Sequence, residues 1–168
     1  MAETLKVSHQ QLLYEAQKAI LSSGKDTDAI LLILSRTSCS LFGEKGLGVI
    51  FYDASAQASR IRFNDGFDEN SLNYHCERFT SFKHEKAPFR PGVVADEKGE
   101  AHRLIPLGPD TDPFGILILR ELRFAEPEAM EAFRELATTS MSTFLEVELV
   151  KLRMEEMGAL LEVGRVVS

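Results

Sequence analysis

The sequence predicts an α+β domain, and two changes of rhythm along the chain carry that reading. Both ends are helical in their spacing: Leu13, Ala16 and Ile20 near the start, and Met130, Phe133, Ala137, Met141 and Phe144 near the end, recur every three or four residues. Between them lie short β-rich runs separated by turn residues, LGVIFYD, ASRIRF, VVA, AHRLIPLG and FGILILR. A chain of 168 residues with 44% hydrophobic residues is long and apolar enough to bury one substantial core.

The elements follow in order. Residues 5–22 form a first helix, ended by Ser22, Ser23, Gly24 and Lys25. A second helix runs from about Thr27 to Leu41, with Asp26 as N-cap, Ile30, Leu31, Leu34 and Leu41 as its buried stripe, and Gly43 closing it. LGVIFYD and ASRIRF are joined by DASAQ as a hairpin-like pair. DENSLNYHCERFTSF (68–82) returns to helical spacing with Leu72, Cys76 and Phe79 aligned, KHEKAPFRPG is loop, and VVA is a short edge strand. DEKGE and PDTDP are turns that bracket AHRLIPLG, and Pro106 within that strand predicts a bulge or an unpaired ladder position. From Pro127 the pattern is helical to the last residue.

Past Phe144 the phase of that last helix shifts to Val147, Val150, Met154, Met157 and Leu161, spaced 3, 4, 3, 4. This is the seam of a coiled coil. The alternative is a single amphipathic helix lying along its own domain. Forty helical residues extend ~60 Å at ~1.5 Å per residue, too far for so small a sheet to cover, which favours a homodimer seam. The chain therefore divides into an N-terminal helix (1–25), a central domain (26–146) and the start of a helical linker (147–168).

A formal charge of −7 and a pI near 5.2 argue against general binding to nucleic acid or to an anionic membrane. No run approaches ~20 consecutive apolar residues, and MAETLKVSHQQ lacks the apolar segment of a signal peptide. The two cysteines, Cys39 and Cys76, form no CxxC pair and suit free thiols in a reducing compartment, so a cytoplasmic location is expected.

The chemistry-bearing motifs are few. GEKGLG (43–48) leads into a strand rather than a helix and lacks the Lys-Ser/Thr pair of a phosphate cradle. In NYHCERF, His75 and Cys76 are adjacent, so on a helix they point roughly 100° apart, whereas two ligands on one helical face need a spacing of three or four. His84 and His102 are free to approach in the fold but nothing local fixes them, and no metal site is assigned. Cys76 is read as a small buried hydrophobe, with a redox thiol as the alternative if Arg78 or His75 lowers its pKa. GxSxG and HExxH are absent, and no catalytic residues are assigned. The order of elements and two segments resemble the GAF domain, the small-molecule-sensing module of bacterial signalling proteins. AHRLIPLGPDTDPFGILILR followed by FAEPEAMEAFRELATTSMSTFLEVEL is similar to that family's closing pattern: a strand ending hydrophobe-Pro-Leu, a turn, a Gly-initiated apolar strand and an acidic-capped helix. AILLILSRTSCSLFGEKGLGVIFYD resembles its opening helix and first strand. The likeness spans roughly residues 26 to 150.

The resemblance implies an antiparallel sheet with the terminal helices on one face and a ligand pocket on the other, roofed by residues 64–100. It implies a non-catalytic regulatory domain that binds a small molecule and controls a covalently linked output domain, such as a diguanylate cyclase, kinase, phosphatase or transcription regulator. Cyclic nucleotide is the first candidate ligand, haem or a linear tetrapyrrole the next. FNDGFDEN carries Asn64, Phe67, Asp68 and Glu69 but neither the Lys nor the spacing of the cyclic-nucleotide signature. Tetrapyrrole-binding relatives place Cys before His, the reverse of His75–Cys76. The residues assigned to the pocket are Phe51, Arg62, Phe63, Tyr74, Cys76, Phe79, Arg90 and Arg103, apolar rings for contact and guanidinium groups for a ligand phosphate. A ligand-free dimerisation module with a side-chain-filled pocket is the alternative function, followed by a redox-sensing or methionine-sulfoxide-reducing module resting on Cys76.

Overall fold

The computed structural model describes residues 2–24, 26–43, 46–86, 89–120 and 126–167; within these, the side chains of 2–8, 143–144, 146–149, 152 and 166–167 lie outside the described set. The elements are α1 (Ala2–Ser22), α2 (Thr27–Phe42), β1 (Leu47–Asp53), β2 (Ala58–Asp65), α3 (Glu69–Glu85), β3 (Gly92–Ala95), β4 (Ala101–Leu107), β5 (Gly115–Arg120) and α4 (Pro127–Val167). The strands form one antiparallel sheet in the order β2-β1-β5-β4-β3.

Local signals account for the helix ends. The Asp26 side chain accepts from the Ala29 N–H at 3.2 Å, and Gly43, at φ 76°, donates its N–H back to Cys39 O at 2.8 Å. Both are the caps expected from the sequence, and α2 ends one residue later than the spacing suggests. Asp68 caps α3 in the same manner, its carboxylate accepting from Asn70 N.

Strand alternation divides the core in two. Leu47, Val49 and Phe51 of β1, Ile105 and Leu107 of β4, and Leu117 and Leu119 of β5 face α1, α2 and α4. Ile50, Ile116, Ile118 and Leu104 face α3. Coverage on both faces explains why β1 and β5 read as continuous apolar runs rather than as alternating ones. The sheet with its terminal helices on one face and the 64–100 segment over the other is thus the arrangement anticipated above.

One detail of the sheet decides between the two expectations at Pro106, and a second lay outside them. Pro106 makes no bulge: β4 pairs with β5 in unbroken register from His102↔Arg120 to Leu107↔Gly115. The Leu107 carbonyl, which accepts from Phe114 N, points at β5, so the Pro106 peptide edge points the other way, past the end of β3. This is the unpaired ladder position rather than the bulge: no ladder donor is needed there, and the Pro106 carbonyl accepts from Arg134 Nε of α4 at 3.0 Å. The bulge lies in β2 instead, where the register moves from Val49↔Phe63 to Ile50↔Ile61 and leaves Arg62 as the extra residue. Its side chain pairs with Asp28 of α2 at 2.9 Å.

Helix α4 has two halves. Ala129, Phe133, Ala137 and Met141 are buried against the sheet and the other terminal helices. Arg134 ties this half to the β4–β5 turn through Gly108 O and Asp110. Further along, Glu156 reaches Arg60 of β2 at 3.8 Å, and the surrounding apolar residues are open to solvent: Val150 51%, Met154 68%, Met157 61% and Leu161 68% exposed, joined by Leu160 and Val163. The side chains of Phe144 and Val147, assigned respectively to the packed stripe and the seam, lie outside the described residues, as do Glu44 and Lys45 of GEKGLG.

Candidate functional site

The face beneath α3 is built from one helical stripe and three strands. Leu72, Cys76 and Phe79, four and three residues apart, lie against Ile50, Ile116, Ile118 and Leu104, with Phe67, Phe82 and Phe89 around them. Gly48 permits this approach, since a Cβ there would stand 2.8 Å from Leu72 Cδ2. The rings interlock: Phe79 stacks on Phe82 with centroids 6.0 Å apart, and Phe82 meets Phe89 edge-on at 5.3 Å. Side chains therefore occupy the space in which the sequence places a ligand.

At the β3–β4 end of this face the packing turns polar. His75 of α3 and His102 of β4 are 1% and 0% exposed, and His75 Nε2 lies 2.9 Å from His102 Nδ1. Phe67 meets the His102 ring edge-on at 5.0 Å. Burial pushes the His75 imidazole down to about 4, His102 and Arg78 add to the effect and Asp96 opposes it, so the ring is neutral at pH 7. Next to the pair, Ser71 donates to Asp96 Oδ2 at 2.6 Å, and Asp96 Oδ1 accepts the backbone N–H groups of Lys98 and Glu100. These bonds, Ser71's first, hold the Asp96 carboxyl below its usual range. Glu100 Oε1 accepts from Arg120 Nη1 at 2.7 Å, and Arg120 lies over the Phe67 ring.

Of the eight residues assigned to the pocket, the fold brings three together under or on α3. Cys76 and Phe79 are in the buried stripe, and Tyr74 sits half-buried beside them, its ring under Arg78. Arg90 is exposed, next to Phe89 at the rim. The other four, Phe51, Arg62, Phe63 and Arg103, are on the opposite face of the sheet. Phe51 and Phe63 pack with the terminal helices, Arg62 pairs with Asp28, and Arg103 alternates with the α3-facing His102 and Leu104. The period-two rule would have separated them once the β2 bulge was known.

What the sequence reading missed is the histidine pair with Asp96 and Glu100. A signal was present: His75 is three residues after Leu72 and four before Phe79, so it shares their stripe, and alternation in AHRLIPL puts His102 on the same side as Leu104. Only the fold shows that the two positions meet. The redox reading of Cys76 meets a physical obstacle, because burial, reinforced by Glu77, pushes its thiol up to about 11 and keeps it protonated. Both cysteines are free thiols.

On the other side of the sheet, α1 and α4 border an open groove of about 650 Å³ lined by Leu13, Tyr14, Gln17, Leu21, Leu136 and Thr139 among others. No helix of the described residues is long and apolar enough to cross a membrane.

No protein-family model matches the sequence, and no curated protein matches it. Solved structures do. The chain is similar to the GAF domain of a protein assigned as a sensor histidine kinase from Pseudomonas syringae pv. tomato, with TM-score 0.63 and 16% identity over 90% of this chain and 96% of that one. It is similar to the GAF domain of the potassium sensor histidine kinase KdpD from Escherichia coli, with TM-score 0.57 and 17% identity over 84% of this chain and 98% of that one. A third is the GAF domain of an Acinetobacter phosphoenolpyruvate-protein phosphotransferase, at TM-score 0.54 and 9% identity over 82% and 95%. The chain has the GAF-domain fold.

Proposed function

We propose that this GAF-fold chain is a non-catalytic regulatory module of a cytoplasmic signalling protein, acting as a homodimer through α4 on a covalently linked output domain. One observation carries the reading: α4 is a single 41-residue helix whose first half is built into the sheet core and whose second half presents an exposed apolar seam. Such a helix is a rigid rod with one end in the sensing domain. Any shift in the core packing around Phe133 and Met141 is felt along it at Met154 and Met157. The similar structures named above come from sensor kinases and a phosphotransferase, which agrees with this role.

The input is a small molecule at the α3 face. Ligand and α3 compete for the same space, because Leu72, Cys76 and Phe79 pack into it. Binding then favours a lifted arrangement of α3, and its energy is set by the difference in affinity between the two arrangements. Cyclic nucleotides are the first class to test, with Tyr74 and Arg90 as ring and phosphate contacts, and haem or tetrapyrrole follows. In a thermal-shift series, a cyclic nucleotide at ~100 times its Kd is expected to stabilise the chain by about 2.7 kcal/mol. No shift with any cyclic nucleotide at millimolar concentration removes that class.

A ligand-free dimerisation module is the second reading, and the closed packing of α3 on Ile50, Ile116 and Ile118 favours it. It retains the α4 seam and dispenses with the input.

A further inference from the structure

We propose that Asp96, Glu100 and His102 form a site for a borderline divalent cation of the zinc type, with His75 as the residue that orients His102. The three side chains come from the β3–β4 turn and the first residues of β4, and their donor atoms all lie within 4.8 Å of one another. Acidic groups at a turn commonly gather without an ion. The second observation is His102 itself, fully buried, with Nε2 sealed from solvent and without a hydrogen-bond partner among the described residues.

That nitrogen faces Glu100 Oε1 at 3.6 Å, too long for a hydrogen bond. The separation suits a shared metal. Two donors each ~2.1 Å from a tetrahedral zinc stand about 3.4 Å apart, so the observed gap needs little adjustment. On its other side, His102 Nδ1 is 2.9 Å from His75 Nε2. With the proton on His102 Nδ1, donated to His75, the Nε2 lone pair is left free on the side of Glu100. This is how a ligating histidine is held by a partner on its second nitrogen. The opposite tautomer, with His75 donating, turns a His102 Nε2–H toward Glu100, so a bound cation selects the form that offers it the lone pair.

The donor set selects the ion class. One imidazole and two carboxylates suit zinc, cobalt or nickel better than magnesium or calcium, which take oxygen ligands almost exclusively. Two carboxylates balance a 2+ charge. Arg120 already donates to Glu100 Oε1, and a carboxylate offers about four lone-pair sites, so metal and guanidinium are accommodated on one side chain. Asp96 keeps its bonds from Ser71, Lys98 N and Glu100 N, which hold its carboxylate in place within the turn. Three protein ligands leave a fourth position for water or an incoming molecule.

Cobalt titrated into the tag-free, chelator-treated chain reports the site through its visible ligand-field absorption. The expected result is saturation at one equivalent per chain, displacement by zinc, and unchanged binding in His84→Gln. His102→Gln is expected to abolish the band, and Glu100→Gln to weaken binding by at least ~10-fold, the lower range seen for groups that merely support a metal ligand. Glu100 is half exposed, so its variant folds even if the His102 variant does not. The proposal is overturned if no band saturates at one equivalent, or if Glu100→Gln binds cobalt as tightly as the unaltered chain.

Discussion

Phe133→Ala is expected to lower the unfolding free energy by about 4 kcal/mol, the middle of the range for deleting a buried ring. Phe133 is fully buried, meets the Phe42 ring edge-on with centroids 5.7 Å apart, and belongs to the cluster that joins α2, α4 and the sheet. The loss combines transfer of the ring, the aromatic pair and the cavity left between two helices that cannot close on it. A urea melt reads it as a lower midpoint at unchanged slope. A loss below ~1 kcal/mol would mean that the first half of α4 is not held by the core, since fully buried aromatic truncations are not that mild.

Gly115→Ala is expected to cost about 2–3 kcal/mol, at the upper end of overpacking penalties. A Cβ at Gly115 would stand 2.6 Å from the Ile50 carbonyl oxygen and 2.8 Å from Phe51 Cδ1. The first is backbone in the middle of the sheet, where giving way means spreading β1 from β5. The same change at Gly158 of α4, where nothing lies within 4 Å, removes a helix-interior glycine and is expected to gain ~0.5–1 kcal/mol. Melts of the two variants should move in opposite directions; equal shifts would contradict the tight β1–β5 contact.

The glycine also shows how much of the fold was legible in advance. FGILILR reads as a Gly-initiated buried strand, Asp26 and Gly43 as caps, and the 3.6-residue stripes place all four helices. These are local signals, written within a few residues of where they act. The β2 bulge at Arg62 was not legible, because a one-residue slip in pairing depends on the partner strand, and it decides which face Arg62 and Phe63 occupy. At Pro106 a bulge and an unpaired position could not be told apart for a related reason: whether a missing N–H matters depends on which edge of the strand it would face, and here that edge is unpaired. The site was less legible than the fold. His75 and His102 are 27 positions apart, and their contact follows from α3 crossing the β4 end of the sheet. No local pattern in NYHCERF or AHRLIPL encodes that crossing. The same holds for the filled α3 face, since a stripe of Leu72, Cys76 and Phe79 looks identical whether it lines a cavity or closes it.

In the proposed function α4 joins the packed core to a second copy of the chain. A light-scattering concentration series on the chain, beside a Met154→Glu/Met157→Glu variant, tests this directly. A dimer at micromolar concentration is predicted, with the variant monomeric and equally resistant to urea once dissociated, because both methionines are exposed in the single chain. A chain that stays monomeric at high concentration, or a variant that dimerises as well as the original, would contradict it.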